Sequence, residues 1–349
     1  MELSTLWFGL IAVLWIGYFV LEGFDFGAGI LLRLIGTNEA ERRAILTTLG
    51  PLWDGNEVWV LVAGGATFAA FPEWYATLFS GFYLPLLLIL VSLIIRGVAF
   101  EYRSKYSDMS WRTRWDWGIM IASTIPALLW GVAFANIVRG VPLLEVSGHV
   151  EYSGAFFNLL NPYALLGGLV TLSLFITHGA IFLSLKTDGE IRTRARNIAL
   201  RVGLIATVLA VVFLLWSQLA YSGNSWTWIP VFIAAASWLA ALAFIQRGRE
   251  GLAFLSSALT LAFAVIALFG MLYPNVMPNV DRNLIGLTIH NASSTHYTLK
   301  TMTTVAAIFT PIVLIYQAWT YWIFRKRLSA KHIPNPESGT LGIAQHHVI

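Results

Sequence analysis

The chain has 349 residues, of which 57% are hydrophobic and only 11% are charged. Soluble globular proteins carry roughly 25% charged residues, so this chain has too little polar surface to cover itself in water. The formal net charge of +4 does not indicate a nucleic-acid partner, because the basic residues fall into particular loops. With no cysteine, disulfides, thiolate metal sites and cysteine-ligated iron–sulfur clusters are excluded, and we expect a protein of the lipid bilayer.

Apolar segments long enough to cross a bilayer recur along the chain, since roughly 20 mostly apolar residues span about 30 Å of hydrocarbon as a helix. We predict nine such helices, at residues 6–32, 53–72, 76–98, 117–138, 162–185, 199–221, 228–246, 252–272 and 302–324. The first is interpreted as a retained transmembrane helix, because it is too long for a signal peptide and has no positive segment before it. The second is the least apolar, because it begins with the polar run 53–57.

Lysine and arginine are unevenly divided between the connections. The odd-numbered connections and the C-terminal tail hold 19 of the 22, and the even-numbered connections hold 3. The positive-inside rule therefore predicts an outer N-terminus and a cytoplasmic C-terminus. The two long connections, 139–161 and 273–301, then lie outside, and the polar tail 325–349 is predicted to be a disordered cytoplasmic end.

Ionisable residues inside a span cost a few kcal/mol each and need an explanation. In the first span, Glu22 and Asp25 are three residues apart and share one helix face. Asp54 and Glu57 repeat that spacing at the start of the second span, and Arg96 lies near the end of the third. All five fall in the cytoplasmic half of one helix bundle. This pattern favours a proton-conducting path, with Arg96 as a counter-charge or as an anchor for a polar head group.

Simpler interpretations stay open for some of these residues. Asp54 could sit at a helix N-terminus, where the helix dipole favours a carboxylate, and Arg96 could snorkel to the interface. Asp25 is the hardest to explain without a function, because it lies about two turns inside its span. The three glycines in 23–29 are assigned to close helix packing and not to a phosphate loop.

Histidine is a usual axial ligand of haem iron in helix bundles. Of the seven histidines, only His178 lies inside a predicted span, so a bis-histidine haem site within this chain is excluded. A site that pairs His178 with Met120 stays open as a minor alternative. We therefore expect neither a haem, nor a metal site, nor catalytic residues in this chain.

The sequence contains distinctive motifs, including EGFDFG at 22–27, PLWDGNEVW at 51–59 and FEYRSK at 100–105. Others lie at 41–43, 69–72, 79–83, 111–112, 115–118, 131–134, 140–142, 158–162, 277–278 and 292–294. On these motifs the chain resembles subunit II of the cytochrome bd-type quinol oxidases over nearly its whole length. The run Trp-Asp-Gly-Asn at 53–56 is far more specific than a short glycine pattern.

The resemblance implies two four-helix transmembrane bundles, at 1–150 and 151–273, then an outer loop with a peripheral ninth helix at 274–324 and a tail at 325–349. It implies an obligate heterodimer with subunit I, which binds two haems b and one haem d, and in some members small accessory subunits. The complex would oxidise menaquinol or ubiquinol near the outer face of a bacterial plasma membrane. It would reduce O2 to water with protons taken from the cytoplasm, an electrogenic reaction that needs no proton pumping.

The resemblance also assigns roles to residues. The intramembrane aspartates of the family fall on Asp25 and Asp54, and its quinone-side tryptophan and arginine fall on Trp53 and Arg96. Glu57 occupies a position where other members can have an amide. Subunit II is thus expected to supply a proton path toward the haem d region and, in some members, to hold a quinone of structural role.

Two other functions compete with this one. A proton- or cation-coupled secondary transporter would also place carboxylates inside the membrane, but here the charges crowd only the first bundle. A purely structural scaffold for subunit I is the third alternative.

Overall fold

A computed structural model describes residues 2–330 and residue 333, so most of the tail, for which we predicted disorder, lies outside the described residues. The described part is built mainly from α-helices. In chain order they are α1 Leu3–Ile30, α2 Leu32–Ile35, α3 Glu39–Leu49, α4 Trp53–Ala70, α5 Pro72–Gly81, α6 Tyr83–Tyr102, α7 Met109–Arg139, α8 Pro162–Lys186, α9 Gly189–Ala220, α10 Trp228–Gln246, α11 Glu250–Leu272 and α12 His296–Ile323. Short 3₁₀ turns cover Phe156–Leu159 and Ser225–Thr227.

Eight of the described helices are long and apolar enough to cross a membrane: α1, α6, α7, α8, α9, α10 with the turn before it, α11 and α12. The predicted polytopic α-helical membrane protein is thereby confirmed. The second predicted span, 53–72, corresponds to α4, which has 18 residues and is not among those eight. At the start of α4 the Asn56 side chain donates to the Leu21 carbonyl oxygen at 3.4 Å, and at its end the Ala70 carbonyl accepts from the Ser294 amide at 2.8 Å. Because α4 packs along α1 and ends at the connection 273–301, its contacts favour a ninth crossing, which stays a prediction.

The third predicted span, 76–98, has the wrong bounds. The helix breaks at Phe82, where α5 ends and α6 begins, and the crossing helix is Tyr83–Tyr102. Pro85 explains the break, because a continuous helix would need an N–H at this position to donate to the carbonyl of Gly81, and proline has none. A new helix can begin here, because Pro85 is the third residue of α6 and the N–H groups of the first turn have no partner within a helix.

The two long connections fold into small β-hairpins that the sequence did not predict. Their strands are β1 Leu143–Val146 paired with β2 His149–Tyr152, and β3 Asn275–Met277 paired with β4 Leu287–Thr288, both antiparallel. The Asn279 side chain joins the two connections by donating to the Leu143 carbonyl at 2.8 Å and to the Ile285 carbonyl at 3.0 Å. We call this side of the molecule the hairpin end.

Arginine and carboxylate side chains link the connections at the opposite side of the molecule, which we call the basic end. Its ion-paired arginines are Arg33, Arg42, Arg103, Arg112, Arg192, Arg194 and Arg327. The structure therefore gathers at one end the side chains that the positive-inside rule assigns to one side of the membrane.

Helix α1 lies at the centre, where it packs against α4 and α7 and also against α8 and α11. At the crossing of α1 and α8 a Cβ on Gly27 would collide with the Phe175 carbonyl group and lie 3.0 Å from the Cα of Gly179. The packing interpretation of the glycines in 23–29 is thus confirmed. Helix α12 is peripheral, since Leu299 is its one buried residue.

Gly27→Ala should destabilise the assembled protein by about 1–3 kcal/mol, because the added methyl group forces α1 and α8 apart. Gly9→Ala is the matched control, since it makes the same change in the same helix where a Cβ meets nothing within 4 Å. The thermal unfolding midpoint in detergent measures both effects. Equal midpoints for the two variants would refute close packing at Gly27.

Candidate functional site

A buried ion cluster joins α1, α4 and α6. The fully buried Arg96 on α6 donates through Nη1 to the fully buried Glu22 on α1, and through the same nitrogen to Glu57 Oε1 on α4 at 2.9 Å. The guanidinium also lies over the rings of Phe26 and Phe100, at 4.9 and 5.2 Å from their centroids. Arg96 therefore faces the protein interior, and the alternative in which it snorkels is wrong.

Asp25 belongs to a second polar group beside this cluster. It is fully buried and accepts a hydrogen bond from Asn56 Nδ2 at 2.6 Å. Asn56 Oδ1 accepts in turn from the Tyr321 hydroxyl at 2.8 Å and from Gln317 Nε2 at 3.3 Å, and Trp59 Nε1 donates to Gln317 Oε1 at 2.8 Å. Asp25 thus has one direct partner, Asn56, and the sequence did not predict that Tyr321, Gln317 and Trp59 extend this network. Their signal was weak, because a neutral amide or a tyrosine in a span costs far less than a charge.

Several polar atoms of the two groups are buried without a partner: Glu22 Oε2, Asp25 Oδ1, Arg96 Nε and Arg96 Nη2. Three carboxyl groups share one guanidinium, so full ionisation would leave a net charge of −2 in a low-dielectric region. Uncompensated charge there is costly, and neutralisation by a proton is the usual relief. The arrangement suits groups that take up and release protons.

Asp54 lies apart from the buried groups. It is exposed in the first turn of α4, the position expected if the helix dipole stabilises it. Four of the five charges therefore converge, and Asp54 stands one turn from Glu57. The exposed fraction of these carboxylate side chains decreases toward the interior. Asp54 is exposed, the side chain of Glu57 is 18% exposed, and that of Glu22 is 0% exposed.

The two residues assigned to a quinone lie near each other without touching a described cavity. The Trp53 ring packs on Phe100 at 5.2 Å between centroids, and Phe100 in turn lies under Arg96. Two cavities of about 140 and 70 Å³ border neither Trp53 nor Arg96. The unpartnered N–H groups of Arg96 are nevertheless donors that suit a carbonyl oxygen.

Comparison with known proteins matches residues 3–324 to the model of the family described as cytochrome bd terminal oxidase subunit II. The chain belongs to this family. It is 41% identical over 340 residues to the cytochrome bd ubiquinol oxidase subunit 2 of Bacillus subtilis, covering 95% of this chain and 98% of that protein. It is 37% identical over 365 residues to the cytochrome bd-I ubiquinol oxidase subunit 2 of Escherichia coli K12, covering 95% and 96%.

A solved structure of the bd oxidase from Geobacillus thermodenitrificans shares the fold. One of its chains matches this one with a TM-score of 0.73 at 18% identity, covering 93% of this chain and all of that chain. The resemblance seen in the motifs is confirmed by the family match, and the transporter alternative loses its support.

The contacts of His178 bear on whether its imidazole is available to bind haem iron. Its Nδ1 lies 2.7 Å from the Ser257 hydroxyl and its Nε2 lies 3.1 Å from the Val20 carbonyl oxygen. The imidazole also stacks on Phe254 at 4.7 Å. Both ring nitrogens are engaged, so a haem held by His178 and Met120 would require breaking one of these hydrogen bonds.

A second ion cluster, at the basic end, holds the elements that flank the site. Arg103 follows α6 and binds Glu39 on α3 at 3.1 and 2.8 Å and Asp116 on α7 at 2.5 Å. Burial alone would raise the pKa of Glu39, but Arg103 and the charges of Arg112 and Arg42 hold that pKa below its ordinary value. This cluster is structural, because it fixes α3 and α7 against the end of the helix that carries Arg96.

Glu39→Gln should lower the thermal unfolding midpoint at pH 7, because removing one partner of a buried ion pair costs about 3–5 kcal/mol. A carboxyl whose folded pKa is depressed contributes stability above its unfolded pKa, about 4.3 for glutamate, and loses it as the pH falls through the folded pKa. The midpoint difference from wild type should therefore shrink below about pH 4. Glu190→Gln, at an exposed glutamate in the first turn of α9, is the control. A difference that stays constant down to pH 3 would contradict this assignment.

Proposed function

We propose that this chain is the non-haem subunit of a quinol:oxygen oxidoreductase in a bacterial plasma membrane. Its obligate partner would be the haem-bearing subunit I, with two haems b and one haem d, and small accessory subunits would be optional. Menaquinol or ubiquinol would be the electron donor and O2 the acceptor. The names of the relatives support this proposal, because they are subunits of ubiquinol oxidases. The haems supply the redox chemistry, and this chain supplies none.

The role proposed for this chain is proton delivery from the cytoplasm toward its partner. The observation that carries it is the buried group of Glu22, Asp25 and Glu57 around one arginine, reached from the exposed Asp54. Carboxylates inside a membrane are costly and typically mark proton relays. Asp54 would collect protons from water, Glu57 would pass them inward, and Glu22 and Asp25 would hold them inside the protein.

The basic end would face the cytoplasm, which places the N-terminus outside and makes α4 a ninth span. The arginines of that end support this orientation through the positive-inside rule. Asp25 lies five residues before the end of α1, a depth of about 8 Å from the basic end at 1.5 Å per residue. The domains would then be a first bundle within 1–150, a second within 151–273, and the peripheral α12.

A quinone of structural role would bind beside Arg96. The free N–H groups of Arg96 would donate to a quinone carbonyl, and Trp53 with Phe100 would offer flat apolar surfaces to its ring. Because Arg96 also neutralises two carboxylates, its charge would serve the proton path and the quinone together.

Asp25→Asn should lower quinol-driven O2 uptake by the purified complex about 10²-fold, a loss typical for removal of a proton-transferring group. Asp188→Asn, the same change at an exposed N-cap position of the basic end, is the control and should leave uptake unchanged. Haem content is measured from the optical spectrum of each preparation. Normal turnover with normal haem content in Asp25→Asn would exclude the proton path and favour the scaffold.

A further inference from the structure

The hydrogen bonds around Asp25 form a chain with a fixed direction. Its first member is the indole N–H of Trp59, a group that donates and never accepts. The atom of Gln317 that faces it at 2.8 Å must therefore be the amide oxygen, which leaves the amide nitrogen to face Asn56. The direction of the chain follows from the chemistry of tryptophan alone.

The same donor-to-acceptor direction continues through Asn56 to Asp25. Asn56 presents its oxygen to Gln317 and also to the Tyr321 hydroxyl at 2.8 Å, so two donors hold the same atom. The Asn56 nitrogen then points to Asp25 Oδ2 at 2.6 Å. Because that nitrogen only donates, Asp25 Oδ2 must be an acceptor.

Asp25 is left with one oxygen for a proton. Its Oδ1 is buried and has no hydrogen-bond partner in the described structure, whereas Oδ2 is occupied by Asn56. The groups that interact electrostatically with Asp25 are Glu22 on the same helix, Glu57 on α4, Arg96 on α6 and Tyr321 on α12.

We propose that Gln317 and Tyr321 of α12, together with Trp59, are positioning residues that orient the Asn56 amide and confine the exchangeable proton of Asp25 to Oδ1. This inference rests on the proposed proton path. It gives the peripheral helix a function, since α12 has one buried residue yet supplies two of the donors that fix Asn56.

The orientation matters because an amide can bind a carboxyl group by either end. With its nitrogen toward Asp25, Asn56 favours the ionised carboxylate, and with its oxygen toward Asp25 it would favour the protonated acid. Hydrogen bonds aligned in one direction also strengthen one another. Loss of the α12 donors would free Asn56 to turn over and would change how readily Asp25 releases its proton.

The test uses the uncharged changes Gln317→Met and Tyr321→Phe in the full complex. Gln317→Met keeps the length of the side chain and a weak sulfur acceptor for Trp59 but removes the donor to Asn56, and Tyr321→Phe removes the other donor. Tyr316→Phe, at an exposed tyrosine of the same helix, is the matched control. Infrared difference spectra in H2O and D2O report the carbonyl band of a protonated carboxyl group, which is assigned to Asp25 by its loss in Asp25→Asn.

In the double variant the Asp25 band should increase at fixed pH, and the pH profile of O2 uptake should move by about one unit, the effect of one lost hydrogen bond. Tyr321→Phe alone should give part of both changes, and it keeps the test valid if the double variant does not assemble. An unchanged band and an unchanged pH profile in Tyr321→Phe, with Asp25→Asn still impaired, would overturn this inference alone. Full activity in Asp25→Asn would overturn the proton path instead.

Discussion

The pairing of Arg96 with Glu22 and Glu57 is the constraint on which the first half of the structure depends. An arginine deep in a transmembrane bundle is tolerated only when carboxylates neutralise it, and here they come from two other helices. The register of α1, α4 and α6 is therefore set at one level of the membrane. Asp25 lies at the same level, and the network that holds it reaches α12 through Asn56. The ion pairs of Arg96, more than the cavities of the protein, define the candidate site.

The same constraint explains why this region suits proton transfer. A single guanidinium cannot neutralise three carboxyl groups, so full ionisation would leave net negative charge in a buried region, which a bound proton would relieve. In the proposed proton path, the neutral network around Asp25 would set the direction of the hydrogen bonds, and the basic-end cluster would hold the surrounding helices. Helix α8 has a different character, since both ring nitrogens of its one histidine, His178, lie within hydrogen-bonding distance of Ser257 and Val20. A charged group on α1, α4 and α6, together with a histidine whose ring nitrogens are both hydrogen-bonded, accords with a subunit that serves a haem-bearing partner.

Much of this was accessible from the sequence, because lipid imposes simple rules. Hydropathy identified the eight helices that are long and apolar enough to cross a membrane, and the three-residue spacing of Glu22 and Asp25 predicted that both lie on one face of α1, where both are buried. The break at Phe82 was missed because hydropathy does not register the donor that Pro85 lacks. The strands of the hairpin end are too short to produce a pattern, and the network around Asp25 connects residues over 250 positions apart, Asn56 and Gln317, which no local periodicity can join. For Asp54 the sequence left two alternatives open, and the structure has this residue exposed in the first turn of α4, as the helix-dipole alternative expects.

The most direct test of the central claim is proton uptake during a single turnover of the complex carrying Glu22→Gln. Arg96 keeps its ion pair with Glu57 in this variant, so the helices and the partner haems should assemble as in the wild type. If the carboxyl groups carry protons inward, uptake from the cytoplasmic side should slow markedly while the optical spectrum stays normal. Uptake at the wild-type rate in this variant would contradict the account.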